Sequence, residues 1–312
     1  TLVLNVVVYI FIDPILNFLR VPEEVWGGMR EYLLIIFAGL LATSLYNFFS
    51  CLLRALGNST VPLVFLAVSA ILNIAWDLLF VAVFHWGIAG AAYATIFAQY
   101  VSGILLYVLF RCRSLLPERK DLRFDGEILK EIAGLSSLTC LQQSVMNFGI
   151  LMVQGLVNSF GATTMAAFAA AVKIDTFAYL PVQDFGNAYS TFVAQNYGAG
   201  NKERIRRGTK ESFAISTAFS LVISALVFAF AAPLMQIFVS SAETAVIASG
   251  VRYLRIEGAF YFGIGCLFLL YGYYRAIKRA EMSVVLTVIS LGIRVLLAYV
   301  LSATFLGETG IW

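Results

Sequence analysis

The stretch that decides the fold is residues 61–84, VPLVFLAVSAILNIAWDLLFVAVF. Apart from Ser69, Asn73 and Asp77 it is apolar, and it exceeds the roughly 20 residues that a helix needs to cross the hydrocarbon core of a bilayer. It lacks the alternation over about ten residues that is typical of a membrane β-strand. The stretch therefore predicts an α-helix that spans a membrane.

The composition of the whole chain has the same character. Of its 312 residues, 61% are hydrophobic and 12% are charged, and the mean hydropathy is +0.87. Soluble domains are about 45–50% apolar and about 25% charged, and a soluble chain this apolar would aggregate. The composition excludes a soluble enzyme, a nucleic-acid-binding protein and a disordered chain. We therefore expect no enzymatic activity, no nucleic-acid partner and no cofactor.

The cysteines lack the spacing of a metal site or of a disulfide framework. We interpret them as small apolar residues of a membrane interior. They are Cys51, Cys112, Cys140 and Cys266.

Apolar runs of spanning length occur nine times, and Gly or Pro residues separate several of them. They predict an all-α polytopic membrane protein with nine spans, over roughly residues 1–19, 31–55, 61–84, 87–110, 131–158, 164–197, 210–239, 246–274 and 282–306. Lys and Arg mark the cytoplasmic side of such a protein. The connections after the even-numbered spans carry fifteen of these residues and the alternate connections carry three, which predicts that the segment 111–130 is cytoplasmic.

Similar residues recur at a constant distance along the chain. Tyr32-Leu33-Leu34-Ile35 resembles Tyr253-Leu254-Arg255-Ile256, and Arg54-Ala55 resembles Arg275-Ala276. Both pairs are 221 residues apart (253 − 32 and 275 − 54). Six crossings separate the second span from the eighth, so equivalent helices point the same way, as in the parallel repeats of several transporter folds.

The repeat predicts two helical bundles, each of six helices when complete. We expect an N-terminal lobe over residues 1–110 with four spans, an inter-lobe linker over 111–130, and a C-terminal lobe over 131–312 with five spans. We expect no signal peptide before the first run. By symmetry, the sequence is expected to be a fragment that lacks segments before Thr1 and a final helix after Trp312.

The third span carries polar side chains on one face. Asn73 and Asp77 are one helical turn apart, and Ser69 lies one turn earlier. Oxygen ligands of this kind suit a hard cation such as Na⁺, and a carboxyl group within a membrane also suits a proton carrier. The alternative is that Asp77 lies near the membrane surface and has no role.

Two further spans carry polar stripes, which either line a wet cavity or hydrogen-bond neighbouring helices. Candidate cavity-lining residues on these spans, on the sixth span and among the aromatic residues are Tyr46, Asn47, Gln143, Asn147, Lys173 and Asp184. Glu257 and Arg294 are two more charged residues within spans, and we expect them to pair with each other in a structural role.

Four segments of the sequence resemble the multidrug and toxic compound extrusion (MATE) family of antiporters. They are LRALGNS at 53–59 with Pro62, NIAWD at 73–77, GAAYAT at 90–95 with Gln99, and QNYGAG at 195–200. The resemblance covers most of the chain. It implies twelve helices in two six-helix lobes around a central cavity, with this sequence covering about helices three to eleven.

The resemblance also implies where a coupling ion binds. One cation site of the family lies in the first lobe and combines an Asp of helix one with Asn, Asp and Thr residues of helices five and six. The last three match Asn73, Asp77 and Thr95, which would be Na⁺ ligands in a sodium-coupled protein. The helix-one Asp is not in this sequence. Some members use acidic residues in the second lobe, but Gln143 occupies the matching position on helix seven.

We therefore expect a cation-coupled antiporter, driven by Na⁺ or H⁺, that exports organic and cationic drugs. We expect a monomer that crosses the plasma (inner) membrane of a bacterium several times. One alternative is a related flippase for lipid-linked oligosaccharides or peptidoglycan precursor, which would carry more cationic residues facing its cavity. Only Lys173 and Arg294 are candidates for that role. The other alternative is a membrane scaffold that transports nothing.

Overall fold

A computed structural model of the chain describes residues 2–18, 23–113 and 124–312. Within those residues the regular structure is helical. This follows from the composition, because a helix satisfies its backbone hydrogen bonds internally, and no water is available to them within a bilayer.

The chain divides into two compact units, Thr1–Phe124 and Asp125–Trp312. We call them unit 1 and unit 2. The boundary lies within the segment 111–130 that the sequence predicts as a linker, and residues 114–123 of that segment lie outside the described part. Residues 126–130 already belong to the first helix of unit 2.

Unit 1 contains five helices among its described residues, and the fourth continues as a π-helical segment. They are α1 (Leu2–Phe18), α2 (Glu23–Ala38), α3 (Leu40–Ala55), α4 (Thr60–Asp77) followed by the π-helical segment Leu78–Val83, and α5 (Gly87–Cys112). Helix α5 packs against α2, α3 and α4. A cluster of buried side chains forms between α3 and α5, from Phe49, Leu53, Leu106 and Phe110.

Unit 2 contains six helices and a short 3₁₀ helix. They are α6 (Gly126–Asn158), α7 (Ala162–Gly198), α8 (Lys202–Phe238), α9 (Thr244–Gly258), α10 (Tyr261–Ala276), α11 (Ala280–Ser302) and the 3₁₀ helix Gly307–Ile311. Asp125 begins α6, because its carboxylate accepts hydrogen bonds from the backbone N–H groups of Glu127 and Ile128 at 2.9 and 3.2 Å. Helix α8 is kinked at Phe230, three residues before Pro233, since proline cannot donate the backbone hydrogen bond of that turn.

Helices α7 and α10 approach each other closely where both carry glycine. A Cβ atom added at Gly272 would lie 2.6 Å from the carbonyl oxygen of Gly186. In a membrane there is no hydrophobic driving force for helices to associate, and small residues at helix contacts let the backbones pack closely instead.

The described structure contains seven helical segments that are long and apolar enough to span a membrane, where α2 with α3 (Trp26–Ala55) and α4 with its π-helical segment (Thr60–Val83) each count as one. Helices α9 and α10 form a bent pair that adds an eighth. The bend between α9 and α10 is 51°. The first predicted span contains the helix α1, of which 17 residues are described. The protein is an all-helical polytopic membrane protein, and the count of nine spans stays a prediction.

Helix bounds recur at the spacing that the sequence showed. Helices α3 and α10 begin at Leu40 and Tyr261 and end at Ala55 and Ala276, so both ends are 221 residues apart (261 − 40 and 276 − 55). The turns after them also match. The backbone N–H of Asn58 donates to Leu53 and that of Arg279 donates to Tyr274, both at 2.9 Å. The arrangement of the two lobes as parallel repeats stays a prediction.

Candidate functional site

The predicted cation site lies in unit 1, where α4 packs against α5. The side-chain amide of Asn73 on α4 donates to the Thr95 hydroxyl oxygen on α5 at 3.4 Å. The Thr95 hydroxyl in turn donates to the backbone carbonyl of Ala91 at 3.1 Å. The structure therefore brings two of the three predicted residues together. The Thr95 hydroxyl oxygen has a second lone pair, and this lone pair and the side-chain carbonyl oxygen of Asn73 are available to a ligand.

Asp77 is the last residue of α4, one helical turn beyond Asn73. The residue is half-buried, and its Oδ1 atom is buried without a hydrogen-bond partner among the described residues. A buried polar atom without a partner costs about 1–3 kcal/mol, and more when it is charged. A proton or cation at this oxygen would remove that cost.

The backbone changes directly after Asp77. Residues Leu78–Val83 form a π-helical segment, which is rare and is frequent at functional sites. Sequence reasoning missed this feature, because the run 78–83 is uniformly apolar and gives no periodicity signal for a wider turn. The segment separates Asp77 from the turn before α5.

Further polar contacts continue along α5. Ser69 donates to the backbone carbonyl of Ala98 at 3.1 Å, and the Thr43 hydroxyl of α3 donates to the side-chain oxygen of Gln99. These contacts link the polar stripes of α3 and α4 to α5. Gln99 belongs to one of the segments that resemble the family, but the sequence predicts no contact for it. Thr43 and Gln99 are 56 positions apart, and no local pattern pairs residues at that distance.

The other candidate residues of unit 1 lie near the same helices. The Tyr46 hydroxyl donates to the carbonyl of Pro62 at 3.1 Å, and Asn47 is exposed on α3. In unit 2, the four remaining cavity-lining candidates are all exposed, and no contact brings them together. They are Gln143, Asn147, Lys173 and Asp184.

Unit 2 buries a second polar cluster that the sequence did not assemble. The Asp175 carboxylate on α7 accepts hydrogen bonds from the hydroxyl groups of Tyr253 and Tyr261, one at each oxygen. Beside it, the Arg294 guanidinium lies 3.1 Å from the Glu257 carboxylate. The expected Glu257–Arg294 pair therefore forms. A count of side-chain charges gives two carboxylates and one guanidinium in this cluster.

No group of three or more His, Cys, Asp or Glu side chains that could hold a metal occurs in the described parts of the chain. The predicted site agrees with this, because it offers one carboxylate and neutral oxygens. Such a site is suited to a monovalent cation or a proton rather than to a zinc-type centre.

Most of the chain is similar to known proteins. The family model described as MatE matches residues 1–79 and 138–300. A "Probable multidrug resistance protein YpnP" of Bacillus subtilis (strain 168) is 34% identical over 302 residues, which cover 95% of this chain and 66% of that protein. A "Probable multidrug resistance protein NorM" of Thermotoga maritima is 28% identical over 313 residues, with 96% and 66% coverage.

The fold is also that of solved transporters. The structure of the Vibrio cholerae MATE transporter VcmN in the bent form matches with a TM-score of 0.91 and 24% identity, over 99% of this chain and 70% of that one. The chain spans 66% of the length of the two curated relatives.

Proposed function

The chain belongs to the MatE family, and from that premise we propose that the complete protein is a cation-coupled antiporter that exports organic and cationic drugs and toxic compounds. Its relatives are named as multidrug resistance proteins. The all-helical fold with several apolar spans is that of an integral membrane protein, and the named bacterial relatives support a place in a bacterial plasma membrane. The protein is a transporter in this proposal and catalyses no reaction.

The observation that carries the proposal is the position of Asp77. It lies inside the span Thr60–Val83, with one oxygen buried and unpartnered among the described residues. Charged side chains inside membrane spans are costly, and they mark ion pathways and proton relays. Asn73 lies one helical turn from Asp77 and contacts Thr95. These two side chains would supply the additional oxygens that a Na⁺ ion or a hydrated proton needs.

Coupling follows from differential binding. An ion or proton at Asp77 would favour one arrangement of the two lobes, and the drug would favour the other. Each can shift the equilibrium only by the difference between its affinities for the two states. Inward movement of the ion along its gradient would then drive outward movement of the drug, around a site near the middle of the membrane.

The test is dye efflux from proteoliposomes that contain the full-length protein. Ethidium movement is followed under an imposed Na⁺ gradient and, separately, under an imposed pH gradient. We expect one of the two gradients to drive efflux, and Asp77→Asn to abolish it at unchanged expression. Asp125→Asn is the matched control, because Asn caps a helix as well as Asp does and Asp125 is exposed at the start of α6. Efflux that survives Asp77→Asn would refute the role of this carboxylate.

A flippase for lipid-linked oligosaccharides or peptidoglycan precursor is the second candidate. It requires cationic side chains to hold a diphosphate, and in the described structure the Arg294 guanidinium is paired with Glu257. Lipid-linked substrate translocation without dye efflux would favour the flippase. A scaffold that transports nothing predicts no flux of either kind.

A further inference from the structure

A surface cavity of about 460 Å³ in unit 1 is separate from the predicted cation site. It lies between α2 and α5. Its lining consists of one carboxylate, three aromatic rings and a methyl group, from Glu31, Trp86, Tyr93, Phe97 and Ala89. We call this cavity the aromatic box. Tyr93 and Phe97 are four residues apart on α5 and therefore share a face, whereas Thr95 points to another face of the same helix.

The rings of the aromatic box belong to a continuous aromatic cluster. The Trp86 and Tyr93 rings meet edge to face with centroids 6.1 Å apart, and Tyr93 and Phe97 lie 6.4 Å apart. Phe80 backs the box, stacked on Trp86 at 5.0 Å and edge-on to Phe97 at 6.0 Å. Ring pairs at these separations stabilise each other, which favours this arrangement of the lining.

The backbone also fixes Trp86. Its N–H donates to the carbonyl of Phe80 at 2.9 Å, across the end of the π-helical segment. His85 and Gly87 on either side have φ angles of 57° and 59°. A non-glycine residue rarely adopts this left-handed conformation, and such strain clusters at ligand-binding sites.

Glu31 supplies a negative charge to the lining of the aromatic box. It has no hydrogen bond or ion pair with any residue that the structure describes, whereas its neighbour Arg30 is paired with Asp13 at 2.7 Å. A carboxylate that lines the same cavity as three aromatic rings is a combination that attracts a cation. Ring quadrupoles favour it electrostatically, and cages of aromatic residues recognise quaternary ammonium groups in this way.

We propose that the aromatic box binds an organic monocation, of the arylammonium or alkylammonium class, in contact with Glu31 and Trp86. The Lys and Arg distribution places the start of α2 and the turn before α5 on the non-cytoplasmic side. The box is therefore a peripheral holding site for the substrate class of the antiporter on the side where substrate leaves. This part of the inference rests on the proposed function, and binding itself does not.

The experiment is photolabelling of the full-length protein in nanodiscs with azidophenyl-trimethylammonium, followed by mass spectrometry of the labelled peptides. We expect label on the segment 86–97 that phenyltrimethylammonium displaces. In Trp86→Leu the half-saturating concentration should rise about two- to fivefold, the effect of one exposed cation–π contact. Glu31→Gln should raise it similarly, and Trp86→Phe should keep part of the affinity.

The controls distinguish recognition of a positive charge from non-specific hydrophobic binding. Phe305→Leu and Glu203→Gln change an exposed aromatic ring and an exposed carboxylate outside the aromatic box, and they should leave labelling unchanged. The uncharged isostere azido-tert-butylbenzene should not label this segment selectively. Equal labelling by the uncharged probe, or in Glu31→Gln, would overturn the proposal and leave an ordinary interfacial aromatic belt.

Two further arms identify the source of the cation and separate this inference from the proposed function. Nanodiscs of phosphatidylglycerol alone are compared with nanodiscs that contain phosphatidylcholine; competition by choline headgroups would mean that the box holds lipid rather than substrate. Asp77→Asn should keep the label although it loses efflux. In the unsubstituted protein, label without efflux would contradict the antiporter and keep the binding site, whereas efflux without label would contradict the binding site alone.

Discussion

The Arg294 guanidinium on α11 lies 3.1 Å from the Glu257 carboxylate on α9, so two charged side chains from separate helices of unit 2 form an ion pair. The Glu257 side chain is 16% exposed and that of Arg294 is 42% exposed. The pair lies beside Asp175, whose oxygens are already used by two tyrosine hydroxyls.

Removing one partner of this ion pair leaves an uncompensated charge. We expect Arg294→Met to lower the free energy of unfolding by about 2 kcal/mol, less than the roughly 3–5 kcal/mol for a fully buried pair, because the guanidinium is partly exposed. Thermal denaturation in detergent gives the measurement. The double variant Arg294→Met with Glu257→Gln should lose less free energy of unfolding than the sum of the losses in the two single variants. A loss equal to that sum would contradict the ion pair.

The tyrosines that hold Asp175 are expected to be structural donors. Tyr253→Phe and Tyr261→Phe each remove one hydrogen bond to a carboxylate, which is worth about 1.5–3 kcal/mol. Each variant should therefore melt at a lower temperature than the parent protein. Tyr299→Phe on α11, where the side chain is 46% exposed, is the control and should melt unchanged. An unchanged melting temperature in both test variants would contradict these bonds.

Helix α8 carries buried hydroxyl groups that lack partners in the described structure, among them Ser216 and Ser220. A hydroxyl buried in this way costs about 1–3 kcal/mol. Ser220→Ala should therefore raise stability or leave it unchanged, as measured by thermal denaturation. A clear loss of stability would show that the hydroxyl is hydrogen-bonded in the membrane, most simply to a buried water.

Alanine is expected to have opposite effects on stability at Gly272, where α10 approaches α7 closely, and at Gly292 on α11, which has space around it. In Gly272→Ala the new Cβ meets the backbone carbonyl of Gly186, and overpacking of this kind costs about 1–3 kcal/mol. Gly292→Ala meets no atom within 4 Å and should gain about 0.5–1 kcal/mol, since Ala loses less backbone freedom in a helix. Equal effects in thermal denaturation would contradict the close contact.

The fold was predictable because it depends on local signals. Run length and the Lys and Arg distribution identify the spans, and the repeated Arg54-Ala55 and Arg275-Ala276 pairs end two helices of equal length.

The candidate site was predictable only in part. Asn73 and Asp77 stand one turn apart on one helix, which the sequence alone reveals. Thr95, which contacts Asn73, was predicted from the family resemblance. The contacts of Asp175 join residues 78 and 86 positions apart, and neither a periodicity nor a motif encodes such distances. The sequence does not predict the aromatic box for the same reason, because Glu31 lies far from Trp86 in the sequence.

The π-helical segment Leu78–Val83 has a consequence for how this region tolerates change in length. Its hydrogen bonds close at i→i+5 rather than i→i+4, so a turn of this segment, which follows α4, holds about one residue more than a turn of α-helix. Deleting a single residue there would restore an ordinary helix and turn everything beyond it about the helix axis. Phe80 and Trp86 would then face a different direction from Asn73 and Asp77. Within unit 1, the rotation of the aromatic box relative to the predicted cation site therefore depends on the length of this segment.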